Sequence, residues 1–322
     1  MKILVLGLGV IGSTYGYIFK QAGNTVHHLL RKSNYPTQLK IKMLDGRTTK
    51  KGKFFEDNYQ IQNYQEDQRY DLIILSVSSG HLREAVNTLR KKHVRGTILL
   101  FCNFWHTHAE IESIMNGYKY IIGFPVAGGQ IIDGTLNCVV FDHILLQNKS
   151  NVNNADYTKI SSLCESTQLG IENQRDMIEW IWLHMAINAG VVLGATNQDV
   201  ITSPSQMAIE LMNNQKSLEI AIRLIRNSIK ITKSRGVKLR YYLNELWIYY
   251  LPANISSYFM KKIFKKDELA RKIMTLHNDL NDMLFGCRAV YETGKKNRIQ
   301  AQCFYDSYNR LVDSKLINDR IR

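Results

Sequence analysis

The chain opens on a short apolar run, Ile3-Leu-Val-Leu6, that breaks into glycines at Gly7, Gly9 and Gly12. A run of this length bounded by glycine predicts a strand buried on both faces, as parallel sheets require. A helical stretch follows, and Asn24-Thr-Val-His-His-Leu-Leu30 predicts a second strand that closes at Arg31-Lys32. Tyr70–Val77 and Gly96–Cys102 repeat the apolar pattern. The first leads through Ser78-Ser79-Gly80 into a helix over His81–Lys91, and the second ends at Asn103. Two more strands are predicted near Tyr120–Phe124 and Asn137–Leu146, separated by Ala127-Gly128-Gly129 and Asp133-Gly134. After about residue 155 the pattern turns to long helical periodicities with few glycines and no further parallel-strand signal. The scheme is α/β, a doubly wound parallel sheet over 1–169 followed by an all-helical domain over 170–322, with the boundary near Leu169-Gly170. The most apolar long segment, Ile178–Ala195, is interrupted by Glu179, His184 and Asn188, which predicts a buried helix and not a membrane span.

Strand, Gly-x-Gly-x-x-Gly turn, helix and strand together describe a dinucleotide site, because each glycine has its own steric task. Gly7 permits the tight turn, Gly9 lets backbone approach a pyrophosphate, and Gly12 lets the helix pack on the sheet. Val10 and Ile11 lie in the same turn, at the positive end of the helix that faces the phosphates. An NAD site usually carries a carboxylate at the end of the second strand; here Arg31 and Lys32 stand there. A guanidinium pairs with a 2′-phosphate that a carboxylate repels, so the cofactor expected is NADPH. The alternative is that two basic residues simply close a surface strand. In an open sheet the loops after the strands line the cleft, which places Ser78, Ser79 and Asn103 near the cofactor. The serines either contact the ligand or cap the following helix, capping being favoured. Asn103 otherwise closes its strand-to-helix turn.

Composition adds limits. At 322 residues and 45% hydrophobic content the chain supplies two ordinary cores. The net charge of +14 raises nucleic acid as a partner, but the lysine pairs are scattered and no nucleic-acid motif surrounds them. They read as solvated faces that attract an anionic cofactor and a small-molecule substrate. The basic stretch Tyr258–Lys266 reads as an ordinary amphipathic surface helix, and no membrane partner is expected. Five dispersed cysteines, at 102, 138, 164, 287 and 303, suit reduced thiols in the cytoplasm. The N-terminal run has no small-residue cleavage site, so it is not read as a signal peptide. His106 and His108 lack a third ligand, and no metal site is expected.

The fingerprint Lys2–Arg31, the strand end at Asn103 and the segment Trp182-Leu-His184-Met-Ala-Ile-Asn188 resemble the ketopantoate reductase family, NADPH-dependent reductases of 2-oxo acids. The resemblance implies a Rossmann domain followed by a helical substrate and dimerisation domain, with the active site in the cleft between them. It implies a helix reading Trp-x-Lys-x-x-x-Asn, whose lysine is the general acid and whose asparagine binds substrate. This sequence keeps Trp182 and Asn188 and places His184 where the lysine stands. Ser78 occupies the place of a lysine common in the family. Thr275, Asp279 and Cys287 fall where the family has serine, aspartate and glutamate. Phe104-Trp105-His106 replaces a glycine-rich turn, and Gly123–Gly129 looks like a variant branch.

Hydride transfer to a ketone leaves an alkoxide that a positioned acid must protonate. A histidinium can do this, although its ordinary pKa near 6.5 leaves only a fraction charged at neutral pH. Helical spacing puts His184 and Asn188 on one face, where both could point at a substrate; the alternative is a buried histidine that donates to a backbone carbonyl. Two functions follow. One is an NADPH-dependent oxidoreductase acting on a small 2-oxo acid or related carbonyl, with His184 as acid and Asn188 and Thr275 holding substrate. The other is a catalytically inactive NADPH-binding relative with a sensor or structural role. The long helical domain is compatible with a homodimer.

Overall fold

The computed structural model describes residues 1–31, 35–66, 69–78, 80–197, 203–276 and 280–314. The chain divides into two compact units, Met1–Ile178 and Glu179–Arg322. The first contains β1 (Lys2–Leu6), α1 (Val10–Gln21), β2 (Thr25–Leu29), β3 (Gln38–Asp45), β4 (Lys53–Gln60), β5 (Arg69–Leu75), α2 (Leu82–Lys91), β6 (Arg95–Leu100), α3 (His108–Met115), β7 (Tyr120–Ile132), β8 (Thr135–Gln147), α4 (Asn154–Ser166) and β9 (Gly170–Gln174).

The strands form one mixed sheet in the order β2-β1-β5-β6-β7-β8-β3-β4, with β9 beside β8. From β2 to β7 all neighbours are parallel. β2 leaves one side of β1 and β5 lies on the other, so the chain reverses direction of winding between β1 and β5. Ligands of open α/β sheets bind at the carboxyl ends of such a switch point. Ile3, Val5, Leu72, Ile74 and Leu99 alternate onto one face and join α1 residues Tyr15, Ile18 and Phe19 in a single core.

Three features depart from the predicted scheme. β7 and β8 form a long antiparallel hairpin closed at Asp133-Gly134, where both residues have positive φ, 47° and 72°, the conformation of a hairpin turn that follows strand twist. The antiparallel pair β3–β4 lies outside the predicted strands. It shows the alternation of a sheet with one wet face, and β3 joins β8 in parallel. The unit boundary falls after Ile178 and not near Leu169-Gly170, because β9 adds a parallel strand to β8 and binds that segment to the sheet.

The second unit is helical: α5 (Met177–Ala195, beginning in the first unit), α6 (Pro204–Asn213), α7 (Gln215–Lys233), α8 (Leu243–Tyr250), α9 (Ala253–Lys266), α10 (Glu268–Leu276), α11 (Leu280–Lys296) and α12 (Gln302–Val312). α5 has the length and apolar character of a membrane span, but most of it is buried within the fold. α7 carries the amphipathic spacing of a core helix, burying Leu218, Ala221, Ile222, Leu224 and Ile225.

Candidate functional site

In the first unit the candidate site is the β1–α1 turn. Gly7 has φ of +89°, a conformation that only glycine adopts without strain, and its amide donates to the Leu29 carbonyl of β2 at 2.9 Å. At Gly12 an added Cβ would lie 2.6 Å from Val5 Cγ1 and 2.9 Å from Ser76 Oγ, so a side chain here collides with the sheet. Gly9 differs, with nothing within 4 Å of the place its Cβ would take. It caps α1 without any side-chain hydrogen bond, and no acidic residue sits in the first turn. The first intrahelical bond runs from Ser13 N to Gly9 O, which leaves the amides of Val10, Ile11 and Gly12 without helical carbonyl partners. This arrangement fits an anion such as a pyrophosphate.

At the ends of β5 and β6 the buried polar atoms Ser76 Oγ and Asn103 Oδ1 have no hydrogen-bond partner, and Ser13 Oγ is in the same condition. Buried polar atoms are normally paired, so a group that brings donors and acceptors to this edge is what the arrangement lacks. The residues therefore fit a dinucleotide. Asn103 does not close the turn into α3, since Thr107 caps that helix in a reciprocal capping box with Glu110. The favoured capping role of the serines is corrected for Ser78: α2 begins after His81, which has no side-chain cap, and Ser78 contributes only its carbonyl to the His81 amide. Ser79 and Lys32 lie outside the described residues.

Arg31 is exposed and meets Glu84 of α2 at 3.5 Å, and Glu84 also meets His81 at 3.2 Å. An ion pair with both side chains largely in water contributes little, so the guanidinium can exchange Glu84 for a stronger anionic partner. Sequence reasoning missed Glu84 and Ser76, since neither stands in the fingerprint and only the sheet order brings them to it.

Sequence reasoning also missed a buried network beneath the turn. His28 Nδ1 donates to the Gly7 carbonyl and Nε2 accepts from the Tyr59 hydroxyl, both at 2.8 Å, so β4 is fastened to the glycine turn through one imidazole. Burial pushes the His28 pKa down to about 4. An unfolded histidine takes its proton near 6.5, so between pH 6.5 and 4 the unfolded chain binds more protons than the folded one. The contribution is complete above about pH 6.5 and fades as pH falls to about 4, with a total on the order of 3 kcal/mol. Urea midpoints measured across that range will fall with pH in the unmodified protein and fall less steeply in His28→Gln.

A separate group of candidate residues lies on α5, in the second unit. Asn188 Nδ2 donates to His184 Nε2 at 2.9 Å, so the two residues that the spacing aligned do meet. The ring accepts in this arrangement, the role of the neutral imidazole; an imidazolium takes the amide oxygen after a half-turn of the Asn188 side chain. Trp180 stacks on His184 with ring centroids 5.0 Å apart and planes 12° apart, and its indole N–H donates to Glu245 Oε1 at 3.0 Å. The i, i+4 spacing of Trp180 and His184 was the available signal, but the role of Glu245 was not visible. Trp182 carries the Arg235 guanidinium 3.6 Å above its ring.

The remaining sequence candidates are less closely tied to this group. Thr275, on α10, donates its hydroxyl to the Lys272 carbonyl at 2.8 Å. Asp279 lies outside the described residues. Cys287 is fully buried on α11, and burial pushes its thiol up to about 12, so it stays neutral and cannot stand in for a glutamate carboxylate. His108 pairs with Asp176 at 2.8 Å.

The family model for ketopantoate reductase PanE/ApbA matches residues 3–135. A comparison with curated protein sequences gives no match. Among solved structures, a putative 2-dehydropantoate 2-reductase from Staphylococcus aureus is similar at a TM-score of 0.67 and 13% identity, covering 99% of this chain and 100% of its own. The 2-dehydropantoate 2-reductase of Methylococcus capsulatus is similar at 0.60 and 16%, covering 99% and 97%. A D-mandelate dehydrogenase solved with NADH is similar at 0.64 and 16%, covering 99% and 98%. At these identities the structural likeness speaks for the fold. Residues 3–135 are thus similar to the ketopantoate reductase PanE/ApbA family model, and the chain shares the fold of these solved structures along its length.

Proposed function

We propose that the protein is an NADPH-dependent oxidoreductase that reduces a small 2-oxo acid or a related carbonyl. The observation that carries the reading is the β1–α1 turn: an uncapped helix start, open space above Gly9, and orphaned polar atoms at the adjoining strand ends. The nicotinamide supplies the hydride. Val10, Ile11 and Gly12 amides hold the pyrophosphate, Arg31 with Lys32 takes the 2′-phosphate, and Ser78 and Asn103 contact the cofactor near its reactive end. His184 delivers a proton to the nascent alkoxide, and Asn188 and Thr275 hold the substrate. Likeness to a 2-dehydropantoate 2-reductase and a D-mandelate dehydrogenase supports a substrate with a 2-oxo or 2-hydroxy acid. The reading assigns the nucleotide to the first unit, Met1–Ile178, and substrate binding and self-association to the second, Glu179–Arg322. It includes a homodimer, for which the dimeric ketopantoate reductase of Staphylococcus aureus is a precedent. Its free cysteines suit the cytoplasm.

NADPH oxidation followed at 2-oxo acids, aldehydes and imines tests the activity. For the cofactor, calorimetric titration will show NADPH binding at least about tenfold tighter than NADH, the scale of one charge-assisted phosphate contact. Arg31→Ala removes most of that difference. Glu84→Gln tightens NADPH without affecting NADH comparably, because it frees the guanidinium from a competing carboxylate. Equal affinities for the two nucleotides in the unmodified protein would overturn the assignment.

A further inference from the structure

The amphipathic pattern of α9 is inverted. The helix turns Ser256 and Ser257 inward, both fully buried, with Met260 and Phe264 packed on the small cluster of Leu211, Leu218 and Ala221. Outward it presents Tyr258, Phe259 and Ile263, 55%, 42% and 49% exposed. These lie at helical spacing with Ile255 on one stripe, and Lys262 and Lys266 fall on the same stripe. The preceding helix does the same: Leu243, Trp247 and Tyr250, at i, i+4 and i+7, are each more than half exposed. Arg226 ties the connection between the two helices by donating to the carbonyls of Tyr249 and Leu251, and Ser256 Oγ donates to the Ile248 carbonyl at 2.6 Å. The stripes therefore sit on anchored helices and not on a frayed segment.

Exposed aromatic rings beside lysines mark a surface with a partner. The charge selects the kind. α9 carries Lys261, Lys262, Lys265 and Lys266 and no acidic residue, in a chain of net charge +14. The acidic residue of α8, Glu245, already accepts the Trp180 indole N–H. A second copy placed symmetrically on this face would set lysines against lysines. An anionic bilayer meets both demands at once, because aromatic and aliphatic side chains enter the headgroup boundary while lysine stems lie along it with their ammonium groups among the phosphates. We infer that the outer face of α8 and α9 docks the protein on anionic lipid.

The test uses the full chain and vesicles of phosphatidylcholine, with or without about a third phosphatidylglycerol, a composition in the range where lysine clusters respond to surface charge. Co-sedimentation will be at least about tenfold greater on the anionic vesicles and will fall with added salt. Trp247 emission will shift to the blue on binding, and Trp247→Phe will abolish the shift. Phe259→Ser with Ile263→Ser, and separately Lys262→Glu with Lys266→Glu, will each lower partitioning about tenfold or more with unchanged circular dichroism, since all four side chains are in solvent. No partitioning, or equal partitioning on neutral and anionic vesicles, overturns the inference. So does a concentration-dependent dimer in sedimentation velocity that Phe259→Ser dissociates, which would make the face an interface between copies.

Discussion

His184→Ala will lower turnover on the best carbonyl substrate by about a hundredfold or more, while NADPH affinity stays nearly constant. The split is expected because the ring, on α5, is the proposed proton donor, whereas the nucleotide contacts are assigned to the β1–α1 turn and neighbouring strand ends. Activity of the unmodified enzyme will fall as pH rises through the apparent pKa of the histidine, since only the protonated ring can donate. The bond from Asn188 Nδ2 to Nε2 sharpens the expectation: the acid form requires the amide to turn and present its oxygen. Asn188→Asp keeps an acceptor in place and adds a charge, so it will move the pH limb upward where Asn188→Ala will not. His184→Lys restores the family's acid and tests whether the pocket takes the family's substrate. Turnover unimpaired in His184→Ala would assign the ring to packing against Trp180. Binding of NADPH with no turnover on any carbonyl would favour the inactive relative.

Gly9→Val and Gly12→Val will fail in different ways. At Gly9 an added Cβ has nothing within 4 Å, so Gly9→Val will keep the circular dichroism spectrum and lose nucleotide binding to the detection limit of calorimetry, because the isopropyl group takes the space assigned to the pyrophosphate. At Gly12 the first added carbon already stands 2.6 Å from Val5, so Gly12→Val will be destabilised by several kcal/mol, on the order expected for overpacking a core contact, and will lose binding through its fold. Tight residual binding in a well-folded Gly9→Val would place the nucleotide elsewhere.

The glycine turn and the His184–Asn188 pair were legible because the determinants of each are local. Gly7 and Gly12 stand within a few residues of the strand and helix they join, and His184 and Asn188 are one turn apart on a single helix, so periodicity alone aligns them. The continuous apolar strands were legible for the same reason: a strand buried on both faces writes its burial into consecutive residues. β3 and β4 were harder, since a half-wet hairpin alternates polar and apolar positions and resembles a charged loop until a partner strand is known. β9 reads Gly-Ile-Glu-Asn-Gln, and nothing in that composition announces a strand; its pairing with β8 makes it one.

The sequence by itself determined the glycine turn, the basic end of β2, the α/β-then-helical order and the one-turn spacing of His184 and Asn188. Each depends on residues close together in the chain or on the spacing of a single element. Only the tertiary structure decided what depends on residues far apart meeting. It set Glu84 against Arg31, hung Tyr59 and His28 beneath the Gly7 carbonyl, and fixed Trp180 over His184 with Glu245 behind it. It also decided which side of α9 faces solvent. A helix with serines on one stripe and aromatics on another would ordinarily bury the aromatics. Here close packing on α7 and the cluster around Leu218 favours the small side, and that choice leaves the rings in water beside the lysines.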